Sequence, residues 1–373
     1  MILLCLPDHL DEALIRELAS FGQEDLVARR CADLAEVLAG VDAGLANSVL
    51  LAGDEPGLDL TVVSKLRAQG VRIGAVPNGR AIGDLRSLGV EVVSEGELVD
   101  FVRGSSESGQ APEAATRGRI IAVWGPGGSV GRSALVRDLA SLAGDALVVD
   151  ADTHRPSLTQ LYGLEETSAI VALARHIERG RDPAELIDSI LVDLPRSKGN
   201  RRLLAGLNTG ERWRELPRVV VDRMWEPLAL QTRTVLVDVS GGMDGRAERV
   251  DRYAVTRSAL EAADVVLHVG RGTPVGLRRF VEHIDAVGSD HPAHHRGVVI
   301  TAPKALGLDG RAKVSELLAG APMPCEIIRG DRARLDECEL SMRAMPIAYP
   351  RSGYSKDVRA LWDSLATAVP EQP

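Results

Sequence analysis

The feature that most constrains the fold is a glycine-rich segment between an apolar run and an amphipathic one. Residues Arg119–Trp124 read RIIAVW and predict a buried strand, and the segment from Gly125 to Ser133 reads GPGGSVGRS. The helical pattern ALVRDLASLA follows at once. In a strand–turn–helix context of this kind, backbone amides and a helix N-terminus converge on phosphate oxygens. The segment therefore predicts a phosphate-binding loop, and a glycine-rich turn without a ligand stays open as the alternative.

The loop departs from the usual phosphate-loop frame, G-x-x-x-x-G-K-[ST], at two positions. The first glycine falls at Pro126, and the lysine position holds Arg132. Arginine keeps the positive charge, but its planar guanidinium differs in shape from an ammonium group. Ser133 opens the helix, so its hydroxyl is predicted to ligate Mg²⁺. The predicted phosphate-binding residues are Gly127, Gly128, Ser129, Val130, Gly131, Arg132, Ser133 and Ala134.

Two later apolar runs each end in aspartate. The run ALVVD leads into Asp150-Ala151-Asp152, and TRTVLVDV contains Asp238 with two glycines close behind it. An aspartate that ends a strand beside a phosphate loop holds Mg²⁺ directly or through water. The order of loop, D-x-D segment and second aspartate therefore predicts Asp238 as a metal ligand together with Ser133.

A change in composition near residue 110 divides the chain. Residues 104–118 read GSSESGQAPEAATRG, a small, polar and aperiodic stretch typical of a linker. We therefore predict one domain over residues 1–103 and a second over residues 119–373. A long surface loop within one domain is the alternative.

Apolar runs alternate with amphipathic segments before the linker. The pattern predicts five βα units and hence a small doubly wound sheet. The predicted strands include Ile2–Leu6, Ser48–Ala52, Val71–Val76 and Val90–Val93, and the predicted helices include Glu12–Phe21, Asp33–Leu38, Thr61–Ala68 and Glu95–Arg103. Gly22, Gly40 and Gly70 are predicted to end helices.

This arrangement resembles the receiver domain of response regulators, with departures that matter. A working receiver needs a carboxylate cluster for Mg²⁺ and a lysine after its last strand, but here Ser94-Glu95 follows that strand. Asp54 is the one plausible phosphoryl acceptor. We therefore expect a degenerate receiver-like module for docking or dimerisation.

Composition excludes several classes of protein. Hydrophobic residues make up 45% and charged residues 26%, which are ordinary globular values. The first 103 residues carry −8 of the formal net charge of −9, which disfavours nucleic-acid binding. No run approaches the ~18 apolar residues of a membrane span, and the start has no basic region typical of a signal peptide. Four well-separated cysteines fit a reducing cytoplasm.

The segment from Arg119 to Leu365 resembles the MinD/ParA group of P-loop ATPases. The group's loop reads K-G-G-x-G-K-[ST], so Gly127 stands where the group has its signature lysine. The resemblance implies a mostly parallel sheet with helices on both faces, bound ATP or ADP with Mg²⁺, and a homodimer. Asp152 matches the aspartate that orients the attacking water, and Asp238 with Gly242 resembles the second switch. Thr301 occupies or neighbours the base-contacting position where the group has asparagine, and Asp331 is retained in a base-side loop that has lost its proline.

A receiver-like domain followed by a MinD-like domain resembles the CpaE/TadZ proteins of Flp/Tad pilus assembly. Their actinobacterial relatives include proteins labelled septum-site-determining. The resemblance implies a cytoplasmic protein at a pole or septum that recruits pilus, secretion or division machinery. The two changed loop residues, Gly127 and Arg132, predict weak or absent ATP hydrolysis. A division regulator and a pseudo-ATPase scaffold without turnover are the alternatives.

Weaker features receive structural interpretations. The basic turn over residues 196–202 is interpreted as a solvated loop. The cluster of Asp290, His291, His294 and His295 could ligate a metal, but residues 288–292 are typical of an exposed loop between a helix and a strand, so no metal role is assigned to it. His268, within an apolar run, is expected to be a hydrogen-bonded core residue. The C-terminal pattern places Val358, Leu361, Trp362 and Leu365 on one helix face, which predicts packing on the sheet without stable membrane insertion.

Overall fold

The computed structural model describes residues 1–104, 117–128, 130–195, 199–243, 251–287, 294–301 and 310–367. The chain divides into two compact units. The first comprises Met1–Ala114 and Leu173–Leu186, and the second comprises Ala115–Ala172 and Ile187–Pro373.

The first unit contains a five-stranded sheet in which all the strands are parallel. Its order is β2-β1-β3-β4-β5, the order of flavodoxin-like doubly wound domains. The strands are β1 (Ile2–Cys5), β2 (Val27–Arg30), β3 (Ser48–Ala52), β4 (Arg72–Val76) and β5 (Glu91–Val92). In the described residues the polar edge strand β2 pairs only with β1, and its sequence VARR lacks the apolar run that predicts a buried strand.

Five helices connect and flank these strands. They are α1 (Asp8–Ser20), α2 (Leu34–Asp42), α3 (Leu60–Ala68), α4 (Ile82–Leu88) and α5 (Leu98–Arg103). Gly22 and Gly70 follow α1 and α3 with positive φ, as predicted. The prediction for Gly40 is wrong because this residue lies inside α2. Its lack of a side chain serves packing instead, since a Cβ there would lie 2.8 Å from Leu3 Cδ1.

In the described residues, the second unit contains an eight-stranded sheet in the order β13-β12-β11-β6-β10-β7-β9-β8. The pairs are parallel except for β8 with β9, so the predicted mostly parallel sheet is confirmed. The strands are β6 (Arg119–Trp124), β7 (Asp145–Ala151), β8 (Val192–Asp193), β9 (Asn200–Leu204), β10 (Thr234–Val239), β11 (Val265–Gly272), β12 (His295–Thr301) and β13 (Cys325–Arg329).

The helices that follow β6 along the chain belong to the second unit, except over residues 173–186, which are part of the first. The described helices are α6 (Arg132–Ala140), α7 (Leu158–Tyr162), α8 (Ala169–Glu178), α9 (Ala184–Ile190), α10 (Arg218–Val221), α11 (Trp225–Ala229), α12 (Ala254–Ala262), α13 (Pro274–Val287), α14 (Gly310–Leu318), α15 (Arg332–Leu340), α16 (Met345–Ala348) and α17 (Gly353–Thr367). On α17, Val358, Leu361 and Leu365 are buried in the same core cluster as Val123 of β6 and Leu236 of β10. The C-terminal helix therefore packs on the sheet, as predicted.

None of the described helices combines the length and the apolar character that a membrane span requires. The site described next lies where β6, β10 and β7 are adjacent in the sheet. The carboxyl ends of these parallel strands meet at one edge, which brings together the loops that follow them.

Candidate functional site

The glycine-rich turn joins β6 to α6. A Cβ at Gly125 would lie 2.3 Å from the carbonyl oxygen of Val269, so the strand and the turn approach closely. Gly131 precedes α6 with a φ of 99°. The first amides of a helix have no acceptor within the helix, so those of Arg132, Ser133 and Ala134 are open to a ligand. Ser129 lies outside the described residues.

The guanidinium of Arg132 lies within this turn. Its Nη1 donates hydrogen bonds to the carbonyl oxygens of Pro126 (2.9 Å) and Gly128 (3.3 Å). A Cβ at Gly241 would lie 2.3 Å from the same Nη1, so this glycine leaves room for the guanidinium. The turn therefore holds a cation where the phosphate-loop frame places one. A bound anion would compete with the two carbonyl oxygens for its N–H groups.

Asp238, near the end of β10, is the most unusual group of the site. Both of its carboxylate oxygens are buried, and neither accepts a well-formed hydrogen bond from the described residues, although the Ser133 hydroxyl lies close enough to act on them. Burial, with the nearby charge of Asp150, raises the pKa of Asp238 to about 8, while the Ser133 hydroxyl and Arg132 lower it. A buried carboxylate without a partner is costly, which is the situation expected of a ligand for a cation.

The oxygens of Ser133 and Asp238 suit Mg²⁺ held with a phosphate. Within the described ranges, no group of three or more His, Cys, Asp or Glu residues could hold a metal ion by itself. Mg²⁺ commonly takes one or two protein ligands and completes its shell with water and phosphate oxygens. The residues present therefore fit a magnesium ion that arrives with a nucleotide.

Asp152 connects the loop after β7 with the loop after β10. Its Oδ1 accepts hydrogen bonds from the backbone amides of His154 (2.8 Å) and Arg155 (2.9 Å) and from the Ser240 hydroxyl (2.8 Å). The Ser240 hydroxyl also lies 3.2 Å from Thr153 Oγ1. Ser240 thus joins the two loops.

Sequence reasoning missed Ser240, although it stands two residues after Asp238 in the segment VDVSGG. A serine in a loop is too common to be singled out by pattern. The loop after β10 also joins the glycine-rich turn through the backbone, because the amide of Gly242 donates to the carbonyl oxygen of Gly125 (2.8 Å).

Asp150 has a structural role beside the site. Its Oδ2 accepts hydrogen bonds from the amides of Ser157 (3.0 Å) and Leu158 (2.9 Å), which anchors the start of α7. Burial raises the pKa of Asp150 to about 7. The Ser157 hydroxyl in turn donates to the Ser133 hydroxyl (3.2 Å), so α7 contacts the predicted metal ligand.

Thr301 and Asp331 lie at the carboxyl ends of β12 and β13 and are engaged in local hydrogen bonds. The Thr301 hydroxyl donates to the carbonyl oxygen of Ile328 (3.1 Å). Asp331 caps α15 and pairs with Arg334 (3.0 Å). A Cβ at Gly131 would lie 3.1 Å from Ile300 Cδ1, so β12 ends beside the glycine-rich turn. The contact of Thr301 and Asp331 with a base stays a prediction.

Other residues singled out from the sequence have different surroundings. His268 is buried and lies 3.0 Å from His283 and 2.7 Å from His295, measured between ring nitrogens, so the expected hydrogen-bonded core histidine is observed. Asp54 accepts a hydrogen bond from Asn78 (2.8 Å). Asp290 and His291 lie outside the described residues, as do residues 196–198 of the basic turn.

Comparison with known sequences finds no match. No family model matches the chain. No curated protein matches it either.

Comparison with solved structures finds clear similarity of fold. A ParA family ATPase from Chlorobium tepidum TLS is 19% identical with a TM-score of 0.51, over 65% of this chain and 98% of that one. MinD from the MinC:MinD cell division complex of Aquifex aeolicus is 19% identical with a TM-score of 0.50, over 68% and 99%. The septum site-determining protein MinD of Pyrococcus horikoshii OT3, complexed with Mg-ADP, is 14% identical with a TM-score of 0.50, over 67% and 96%.

These neighbours are matched over almost their whole length, whereas about a third of the present chain lies outside the match. At identities this low the comparison establishes the fold alone. Over about two thirds of its length, the chain has the fold of the MinD/ParA P-loop ATPases.

Proposed function

We propose that this chain is a nucleotide-dependent positioning protein that binds ATP with Mg²⁺ at residues 125–133. The observation that carries the proposal is the buried, unpartnered carboxylate of Asp238 beside Ser133, which opens the helix behind a glycine-rich turn. A metal ion brought by a nucleotide would compensate this carboxylate.

The chain's own residues have distinct roles in this proposal. The first-turn amides of α6 and the guanidinium of Arg132 bind phosphate oxygens, and Ser133 and Asp238 hold Mg²⁺. When bound, the nucleotide supplies the γ-phosphate whose presence or loss distinguishes two states. Asp152 and Ser240 link the two loops, so we infer that they communicate the difference to a dimer or partner surface. Two of the similar solved structures, one complexed with Mg-ADP and one a MinC:MinD complex, support a protein that binds a nucleotide and a partner.

We expect hydrolysis to be weak or absent. Arg132 is bonded to two carbonyl oxygens of its own loop, and Asp152 Oδ1 already has three donors. Gly127 has no side chain to reach a nucleotide across a dimer interface. A nucleotide-held scaffold without turnover is therefore the second candidate function.

The order of the two units along the chain supports a proposal for the biological setting. We propose that residues 1–103 form a degenerate receiver-like docking module, residues 104–118 a linker and residues 119–373 the nucleotide-binding domain. The 2-1-3-4-5 order of the first sheet and the engagement of Asp54 by Asn78 support such a module. The combination resembles CpaE/TadZ proteins, so we propose recruitment of a pilus or secretion machine at a pole. Regulation at the septum is the alternative.

The test is a titration of the full chain with labelled ATP, with and without Mg²⁺, together with phosphate release and light scattering. We expect saturable Mg²⁺-dependent binding of ATP, which Asp238→Asn abolishes. In the presence of ATP and Mg²⁺ we expect light scattering to detect a larger species, such as a dimer. Asp188→Asn is the matched control, because this exposed carboxylate pairs with Arg202 away from the site. Turnover that Asp152→Ala removes would identify an ATPase switch, and binding without turnover would identify the scaffold. No binding at all would refute the proposal.

A further inference from the structure

The second unit has a cleft at the other end of α6 from the glycine-rich turn. Eight residues of helix separate Arg132 from Ala140, a distance of about 12 Å at 1.5 Å per residue. The cleft has a cavity volume of about 50 Å³, is partly open to solvent, and lies among α6, the β8–β9 region and the chain between α15 and α16. Three arginines, Arg137, Arg201 and Arg343, line it.

Arg137 is a buried cation whose charge is poorly compensated. Its side chain is 1% exposed, and its Nη1 has no hydrogen-bond partner among the described residues. The adjacent carboxylate of Asp138 lies 3.3 Å from Nε and compensates the charge in part; burial raises the pKa of Asp138, whereas the charge of Arg137 lowers it. A buried guanidinium without a full counter-charge is costly, so an anion in the cleft would stabilise it.

Tyr162 adds a second unsatisfied donor to the cleft. Its hydroxyl is buried and has no partner in the part of the chain that the structure describes. Burial raises the pKa of this phenol, which therefore stays protonated and can donate a hydrogen bond. Arg137 and Tyr162 thus present two buried donors at one place, and a ligand with several oxygens would satisfy both.

Arg201 belongs to the basic turn that the sequence suggested to be solvated. In the structure it is only partly exposed, and its Nε donates to the carbonyl oxygen of Ala143 (2.6 Å). Burial lowers the pKa of Arg201 towards the neutral form, as expected of a cation without a close carboxylate. None of the described residues that line the cleft is acidic.

Arg343 stands at the exposed side of the cleft, at the end of a strained turn. Met342 closes α15 with a φ of 52°, the one non-glycine residue with positive φ in the described ranges. The amides of Met342 and Arg343 donate to the carbonyl oxygens of Glu339 and Cys338, which is the hydrogen-bond pattern of a Schellman cap. Since glycine usually takes this position, the methionine is the costlier choice, and its side chain lines the cleft.

We propose that this cleft binds a small ligand with a doubly charged oxyanion, such as a phosphate monoester, on an apolar body. Guanidinium groups match phosphate oxygens with paired N–H donors, and three of them meet here. Leu194, Met342 and Ile347 supply apolar walls for the remainder of the ligand.

The test is calorimetric titration of the full chain with phenyl phosphate and with inorganic phosphate. We expect both to bind, phenyl phosphate more tightly, and Arg201→Gln and Arg343→Gln each to weaken binding about tenfold, the loss expected for a charge-assisted contact. Arg202→Gln is the matched control, because the neighbouring residue of β9 points to the other face of the sheet and pairs with Asp188.

The glycine-rich turn also binds phosphates in our proposal, so its contribution is measured with Arg132→Ala. Binding that survives Arg132→Ala but is weakened by the cleft variants supports the cleft. Binding that is lost in Arg132→Ala and unchanged in Arg201→Gln and Arg343→Gln would place the anion at the turn and overturn the inference, as would no binding of either probe. Because Arg343 is exposed, Arg343→Gln should not disturb folding. Its ligand affinity therefore tests the cleft even if Arg201→Gln impairs folding.

Discussion

The guanidinium of Arg132 donates a hydrogen bond of 2.9 Å from Nη1 to the carbonyl oxygen of Pro126, six residues earlier in the chain. The arginine that stands at the lysine position of a phosphate loop therefore also holds the shape of that loop. Substitution can separate these two roles of Arg132. A phosphate contact needs the positive charge, whereas the contacts within the loop need the planar N–H groups.

Arg132→Ala should lower ATP affinity at least tenfold, because loss of a charge-assisted hydrogen bond costs about 1.5–3 kcal/mol. Arg132→Lys should retain the affinity or improve it. Fluorescence titration with labelled ATP and Mg²⁺ checks both variants. Wild-type affinity in Arg132→Ala would show that the guanidinium does not face the phosphates. A collapse of binding in Arg132→Lys would show instead that the loop depends on the contacts to Pro126 and Gly128.

Asp238→Asn should stabilise the ligand-free protein while it removes Mg²⁺-dependent nucleotide binding. The pKa of Asp238 is raised to about 8, so the folded state binds more protons than the unfolded state between about pH 4 and pH 8. Stability therefore falls as the pH rises through this window, and asparagine avoids the loss. At pH 8 we expect a gain of about 2 kcal/mol in the free energy of unfolding.

Urea unfolding of the wild type and Asp238→Asn at pH 5 and pH 8 measures this effect, with Asp188→Asn as the control. An equal loss of stability in Asp238→Asn at both pH values would contradict it, because the carboxylate would then be making a stabilising contact in the absence of a ligand.

Gly125→Ala should destabilise the second unit by about 1–3 kcal/mol, the usual cost of overpacking. A Cβ there would lie 2.3 Å from the carbonyl oxygen of Val269, and backbone cannot move aside as a flexible side chain can. Gly144→Ala is the matched control, because a Cβ at Gly144 meets no atom within 4 Å. Thermal unfolding compares the two variants. Equal melting temperatures would mean that β6 and β11 separate easily at the glycine-rich turn.

His283 should contribute to a fall in stability at acidic pH. Burial, with the charge of Arg132, lowers the pKa of His283 to about 4. Between pH 4 and the ordinary histidine pKa of about 6.5, the unfolded state binds more protons, so the free energy of unfolding rises with pH in this window. His283→Gln should flatten the rise. Urea unfolding at pH 4.5, 5.5 and 6.5 measures both slopes, and identical slopes would exclude His283 as a contributor.

Local pattern was sufficient for much of the first sheet and for the glycine-rich turn. Ser48–Ala52 has the predicted bounds of β3, and Gly131 precedes α6 as the strand–turn–helix pattern required. Gly40 shows where the same reasoning fails. Glycine is favoured both at the end of a helix and inside a helix that packs closely against a neighbour. Only the position of the Leu3 side chain shows that the second reason applies at Gly40.

The sequence by itself determined the alternation of strands and helices in much of the first sheet, the glycine-rich turn between β6 and α6, and the aspartates at the ends of the neighbouring strands. These follow from hydrophobic period and from residues adjacent in the chain. Only the tertiary structure decided that Asp238 lacks a partner, that Ser240 joins Asp152, and that three arginines meet at one cleft. The reason is physical: burial and charge compensation depend on groups that are distant in the chain, and no local pattern records which of them become neighbours.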